Sequence, residues 1–198
     1  MKRSLILLKG ENLKNLIIIL LFLNPIWIFS QKLFTEKEFL MASDNGRRWY
    51  KDIKISLYGN YSKQDTLDVV ENIKIFKPLI KPINISMVKN IDSANVVIYF
   101  LNDVDFGKIF PDDYLRTKTS IGHTFDYGVK KLTKSVIQID LINNQKLNSF
   151  SNTIRHEMFH MLGFTHYSEE KNSILSVEYN LTEKDIQMIK YLYSETKE

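Results

Sequence analysis

The chain has 198 residues, with 27 lysines and arginines against 23 aspartates and glutamates, a net charge of +4 and no cysteine. That length supports one well-buried domain and is short for two. The lack of a thiol excludes a thiolate metal ligand, a lipid-anchored cysteine and a cysteine that masks a catalytic metal, while a core of this size needs no disulfide outside the cytoplasm.

The first thirty residues take much of the positive charge. Lys2, Arg3, Lys9 and Lys14 accompany an apolar run over residues 16–29, broken only by Asn24 and Pro25, and Ser30-Gln31 offers a small-residue cleavage point. This pattern predicts a secretory signal over residues 1–30. A retained anchor is the alternative, but a run of about fourteen residues falls short of the roughly twenty that span a bilayer. With the segment set aside, 23 basic residues face 22 acidic ones. The positive charge therefore belongs mainly to export, and no basic stripe with interleaved aromatics points to nucleic acid. The mature protein is expected to be secreted or extracytoplasmic, monomeric and without stable membrane association.

Residues 31–50 are mixed and polar, with Ser43-Asp44-Asn45-Gly46 as a turn signal. They read as a leader or linker ahead of a domain over 51–198. Ile53, Ile55 and Leu57 alternate with Lys54 and Ser56 as a strand that Tyr58-Gly59-Asn60 ends. From Ser62 or Asp65, the residues Leu67, Val70, Ile73 and Phe76 form a helical stripe closed by Pro78. Ile83, Ile85 and Met87 predict a second strand. The unbroken apolar run over 96–101 suits a strand buried on both faces. Residues 102–116 place Asp103, Asp105, Asp112 and Asp113 around Gly107 and Pro111 and read as a loop. These acids admit a calcium ion as a second cofactor, but their spacing departs from the EF-hand pattern and solvated loop acids are the commoner case. Two further strands follow over 121–127 and 136–141, about a turn near Gly128. Ser151-Asn152-Thr153 then offers a cap for the next helix. A last helix opens at Thr182, with Glu183 and Asp185 in its first turn, and buries Ile186, Ile189 and Leu192.

Three of the four histidines fall within one short stretch, His156-Glu157-Met158-Phe159-His160-Met161-Leu162-Gly163-Phe164-Thr165-His166. This is H-E-x-x-H-x-x-G-x-x-H. Helical residues four apart share a face, so His156 and His160 present two imidazoles to one point with Glu157 beside it. Gly163, free of a Cβ, can leave the helix through a left-handed turn and return His166 as a third ligand. Three neutral nitrogen donors leave a fourth zinc position open, which marks a catalytic and not a structural site.

The extended motif and the order of elements resemble the metzincin clan of zinc endopeptidases over residues 51–193. Leu181-Thr182-Glu183-Lys184-Asp185-Ile186, followed by Ile189 and Leu192-Tyr193, resembles the closing helix of the matrixins. Gly122-His123-Thr124 and Val136-Ile137-Gln138-Ile139-Asp140 resemble the clan's edge strand and the strand before its active-site helix. The resemblance implies an α+β zincin domain with a twisted, mixed five-stranded sheet, one antiparallel edge strand, an active-site helix and a C-terminal helix. It implies one catalytic zinc ion on His156, His160 and His166, Glu157 as general base, and a substrate laid along Gly122, His123 and Thr124. The clan's methionine turn corresponds to Asn172-Ser173-Ile174-Leu175-Ser176, where Leu175 supplies the apolar floor in place of methionine. Tyr179 resembles the matrixin tyrosine beneath the substrate pocket. In matrixins a histidine near the position of His123 helps hold a second zinc; with no further histidine to spare, His123 reads as a residue of the cleft rim.

The implied activity is a secreted zinc-dependent endopeptidase acting on proteins or peptides through a zinc-activated water and Glu157. Two other classes compete. One is an inactive zinc-stabilised peptide-binding or adhesion module, favoured by Leu175 and disfavoured by the intact Glu157. The other is a zinc amidase acting on cell-wall peptides. Residues 31–50 are too short for a folded pro-domain, though Asp44 is a carboxylate that can serve as a plug on the metal.

Overall fold

Seven strands form among the described residues: β1 (Arg48–Trp49), β2 (Ile53–Gly59), β3 (Ile85–Met87), β4 (Val96–Leu101), β5 (Gly122–Tyr127), β6 (Lys131–Leu132) and β7 (Lys134–Asp140). The computed structural model describes residues 32–112, 121–147, 150–166, 174 and 181–194. The expected signal over 1–30, and with it Asp113, Leu175 and Tyr179, lies outside them. The chain divides into two units, Met1–Lys32 and Leu33–Glu198, and every described element belongs to the second. No helix among the described residues is long and apolar enough to cross a membrane.

Five strands form one sheet in the order β3-β2-β4-β7-β5. The first four run parallel, and β5 pairs antiparallel with β7 to close one edge. The result is an α+β fold with the mixed sheet and antiparallel edge strand expected above. Its centre is β4, where Val96, Val97, Ile98, Phe100 and Leu101 are buried, as the unbroken apolar run predicts for a strand covered on both faces. One face carries the main core, in which Ile55, Ile98, Ile137 and Ile139 meet Val69, Phe76, Ile154 and Met158 from two helices. The opposite face holds a smaller cluster of Leu101, Phe106 and Val136.

The helix Lys63–Phe76 starts at a capping box between Ser62 and Asp65, which satisfies amides the first turn leaves open. Its inward face differs from the expected stripe: Val69, Asn72, Ile73 and Phe76 are buried, whereas Leu67 is 50% exposed. The inward face runs through Asp65, Val69, Asn72, Ile73 and Phe76, and Leu67, two residues from both Asp65 and Val69, points away from it. The stretch read as a loop over 102–116 contains the helix Asp103–Ile109, capped by the Asn102 side chain on the Asp105 amide. Burial of Phe106, stacked on Phe110 and Phe125, secures it. The acids are thereby drawn into local contacts: Asp105 pairs with Lys108, and Asp103 accepts from Gln138. Asp113 of the conceived calcium set is not among the described residues.

A second helix missing from the sequence reading, Leu141–Leu147, precedes the helix Phe150–Met161. Thr153 is therefore inside a helix and not a cap. Its hydroxyl donates to Asn144 Oδ1 at 2.6 Å, while Asn144 in turn donates to the Ile121 and Asp140 carbonyls. These bonds lock the start of the histidine helix to both β5 and β7.

Where a leader or linker is expected over 31–50, the structure builds the capped helix Glu36–Ala42 and then β1, which pairs with β6. Phe34, Phe39, Ala42 and Trp49 join the main core. The apolar residues that do this are spaced too irregularly to announce themselves. Phe39 meets Tyr191 edge-on at 4.7 Å, and Glu38 pairs with Lys184 at 2.7 Å, so the segment is fastened to the last helix, Glu183–Ser194.

The Lys184 ammonium and the Thr35 amide hold the Glu38 carboxyl down to about 2 from its ordinary 4.5. A folded pKa below the unfolded one means that the pair stabilises the fold fully above pH 4.5 and loses that contribution as pH falls toward 2. Glu38→Gln should therefore be less stable than the parent at neutral pH, with the gap closing over that acid window in urea unfolding. A gap independent of pH would separate the pair from acid sensitivity.

Candidate metal centre and its carboxylate

Helix Phe150–Met161 ends where its sequence requires it to. Gly163 adopts φ +102, a conformation that L side chains resist, and a Cβ there would run into the Arg47 carbonyl. The chain then reverses. Phe164 stacks on Phe159 with ring centroids 4.5 Å apart, and the Thr165 amide donates to the Ala42 carbonyl at 2.7 Å. His166 is thereby returned toward the two helical histidines, on the exposed side of the cluster.

His156 Nδ1 lies 2.8 Å from the Ile174 carbonyl, and His160 Nδ1 lies 2.8 Å from the Phe164 carbonyl. A carbonyl oxygen only accepts, so each Nδ1 carries the proton and each Nε2 keeps its lone pair. Those free nitrogens converge: His160 Nε2 is 3.1 Å from His156 Nε2 and 3.2 Å from His166 Nε2. Tetrahedral zinc with Zn–N near 2.0–2.1 Å would set its nitrogens about 3.3 Å apart. The three residues fit such an ion. Burial first, and the His156 ring next, push the His160 imidazole down to about 3, which keeps it neutral and available as a ligand.

Glu157 projects from the same helix and is 4% exposed. The Thr124 hydroxyl donates to its Oε2 at 2.7 Å. Gly122, two residues earlier on β5, leaves space for the carboxylate: a Cβ there would sit 2.8 Å from Glu157 Oε1. Burial pushes the Glu157 carboxyl up to about 8; the Thr124 bond works against that rise and the Asp126 charge adds to it. A cation on the histidines would favour the ionised form.

Supporting contacts reach the centre from both ends of the domain. Asp185, fully buried, accepts through Oδ2 from the Ile174 amide at 2.8 Å, the Thr182 amide at 2.8 Å and the Thr182 hydroxyl at 2.7 Å. The Ile174 peptide thus joins the start of the last helix to His156. Sequence reasoning took Asp185 only as a first-turn acid; its spacing of three from Thr182 was the available signal for a capping contact.

The residues expected at the edge strand separate. Gly122 and Thr124 face Glu157, whereas His123 projects from the other face of β5, with its ring centroid 4.5 Å from that of Phe125. Asp44 lines a groove with His166, but its carboxylate lies 3.8 Å from Arg47 and stands apart from the three-histidine cluster. Leu175 and Tyr179 lie outside the described residues.

No family model matches the chain, and no curated protein does. Among solved structures, the chain is similar to a crystal structure of myroilysin at 14% identity and a TM-score of 0.38, over 67% of this chain and 58% of that one. A second myroilysin structure gives 14% identity and a TM-score of 0.41, over 72% of this chain and 53% of the other. The chain spans just over half the length of these structures.

Asp185→Ala should weaken metal binding on the order of 10–100-fold by loosening the carbonyl that orients His156. Competition against a chromophoric chelator measures this, and parental affinity in a folded variant would remove Asp185 from the centre. Thr124→Val should raise the Glu157 pKa in metal-free protein, because a donor to the carboxylate is lost, whereas Thr124→Ser should leave it near about 8. Carbon-13 NMR of labelled glutamate reads both; equal titration in all three proteins would refute the contact.

Proposed function

We propose that the protein is an extracytoplasmic zinc endopeptidase of the metzincin type, matrixin-like, with residues 33–49 forming part of the catalytic domain behind a signal over 1–30. The observation that carries this reading is the convergence of three imidazole Nε2 atoms beside a buried glutamate. Three neutral nitrogen donors with a side open to solvent suit a catalytic zinc ion. Bound there, zinc would supply Lewis acidity to a peptide carbonyl and a lowered pKa to water.

The chain's own groups perform the remaining work. Glu157 accepts the proton of the attacking water and returns it to the departing amine nitrogen. Its buried setting raises its proton affinity, so the group is suited both to take a proton and to hold it for transfer. Thr124 keeps the carboxylate in place through the 2.7 Å bond to Oε2. The outer edge of β5 carries no further strand among the described residues. An extended peptide adds to that edge through main-chain hydrogen bonds, with Gly122 and Thr124 at the carboxylate. By the family resemblance, Leu175 is assigned to the apolar floor beneath the metal and Tyr179 to the wall of the pocket for the substrate side chain.

Purified protein supplied with zinc should cleave unfolded casein, and a chelator should stop it. Glu157→Gln should keep metal affinity while lowering the cleavage rate by about 10² to 10⁴. Undiminished cleavage in that variant sinks the general-base assignment. Release of amino groups from peptidoglycan with casein left intact would move the assignment to the amidase class, and tight peptide binding without any hydrolysis would move it to a binding module.

A further inference from the structure

Beside His166 runs a groove of ≈ 600 Å³ lined by Lys37, Leu40, Met41, Asp44, Asn45 and His166. Its wall is the helix Glu36–Ala42 and the turn that follows. That helix buries Phe39 and Ala42, yet Leu40 and Met41 are each 39% exposed. Core packing therefore accounts for one side of the helix and leaves two large apolar side chains facing the groove.

The wall is fixed to the metal centre. The Thr165 amide donates to the Ala42 carbonyl at 2.7 Å and the Thr165 hydroxyl to the Met41 carbonyl at 3.3 Å, one residue before His166. The charges along it are unequal. Asp44 lies 3.8 Å from Arg47, which pairs more closely with Asp126 at 3.2 Å, whereas Lys37 forms no ion pair with any described residue. At 1.5 Å per residue the helical wall rises about 7.5 Å from Lys37 to Ala42, the length of roughly two residues of extended chain.

We propose that this groove is a specificity subsite for the peptide that enters the centre, a reading that rests on the peptidase assignment above. The occupant is a short extended segment with a leucine-sized apolar side chain over Leu40 and Met41 and a neighbouring carboxylate on Lys37. Two observations select that chemistry. The groove starts at the exposed corner of the metal cluster, so a chain held at the centre continues into it. The lining charge without an ion-pair partner among the described residues is the Lys37 ammonium, which favours an acidic neighbour over a basic one at that end of the groove. Selectivity is therefore set in part by the N-terminal segment, apart from the edge strand and the pocket floor.

The test measures binding separately from cleavage. Zinc-loaded Glu157→Gln protein is titrated with fluorescein-labelled peptides carrying Asp-Leu-Asp, Lys-Leu-Lys or Asp-Ser-Asp in an alanine frame. Asp-Leu-Asp should bind tightest. Adding Lys37→Glu should invert the order of the first two peptides, and adding Leu40→Ser with Met41→Ser should erase the advantage of leucine over serine, on the order of tenfold. These side chains are solvent-facing, and circular dichroism checks that the variants fold. An unchanged order in the Lys37→Glu protein, or no measurable binding of any peptide, overturns the subsite. Ranked binding together with failure of the wild-type protein to cleave the same peptides sinks the peptidase assignment alone.

Discussion

Two hydrogen bonds from imidazole Nδ1 atoms to backbone carbonyls govern the centre. By fixing the proton on Nδ1 of His156 and His160, the Ile174 and Phe164 carbonyls turn the lone pairs of both Nε2 atoms toward each other at 3.1 Å. The rings keep this arrangement because the backbone that carries them is itself held. Asp185 anchors Ile174, while the stacked Phe159 and Phe164 anchor the other carbonyl. A site organised in this way loses little freedom when a cation arrives, which is the physical content of preorganisation.

The same interior that aligns the histidines makes Glu157 costly to ionise. Its carboxylate is enclosed by the helix, by Gly122 and by Thr124, and the nearby Asp126 charge adds to the penalty. Buried acids at this level are a familiar mark of functional sites. The enclosure and the cluster of neutral imidazoles complement one another: a cation held by the nitrogens offsets the desolvation of the carboxylate, and the carboxylate strengthens the field that holds the cation.

The motif and the strands themselves were legible because they are local or periodic, while the mixed sheet and its antiparallel edge followed from the family resemblance. H-E-x-x-H states its geometry through the helical repeat, and an unbroken apolar run such as 96–101 announces a doubly covered strand. Other features escaped for identifiable reasons. Leu67 looks like a core residue until packing against the sheet selects the face of Val69, Ile73 and Phe76. The helix Asp103–Ile109 hides behind acids that resemble a loop, since its stability comes from Phe106 inserting between rings supplied by distant residues. The apolar side chains of residues 33–49 fall in two short clusters and Trp49 without a sustained period, and their value emerges when Tyr191, Lys184 and Met161 arrive from later in the chain. Long-range partners of this kind leave no signature in a window of neighbouring residues.

Those far-end partners bear on how the protein is made. The bonds from Glu38 to Lys184, Leu33 to Gln187 and Arg48 to Leu192 bridge 146, 154 and 144 positions of sequence. Contacts of such high order form slowly and only after the whole span has been synthesised. The contacts that fasten the groove wall beside His166 to the last helix can therefore form only once the chain has been made as far as residue 192. An emerging chain thus holds its histidine motif before the far-end partners of residues 33–49 exist.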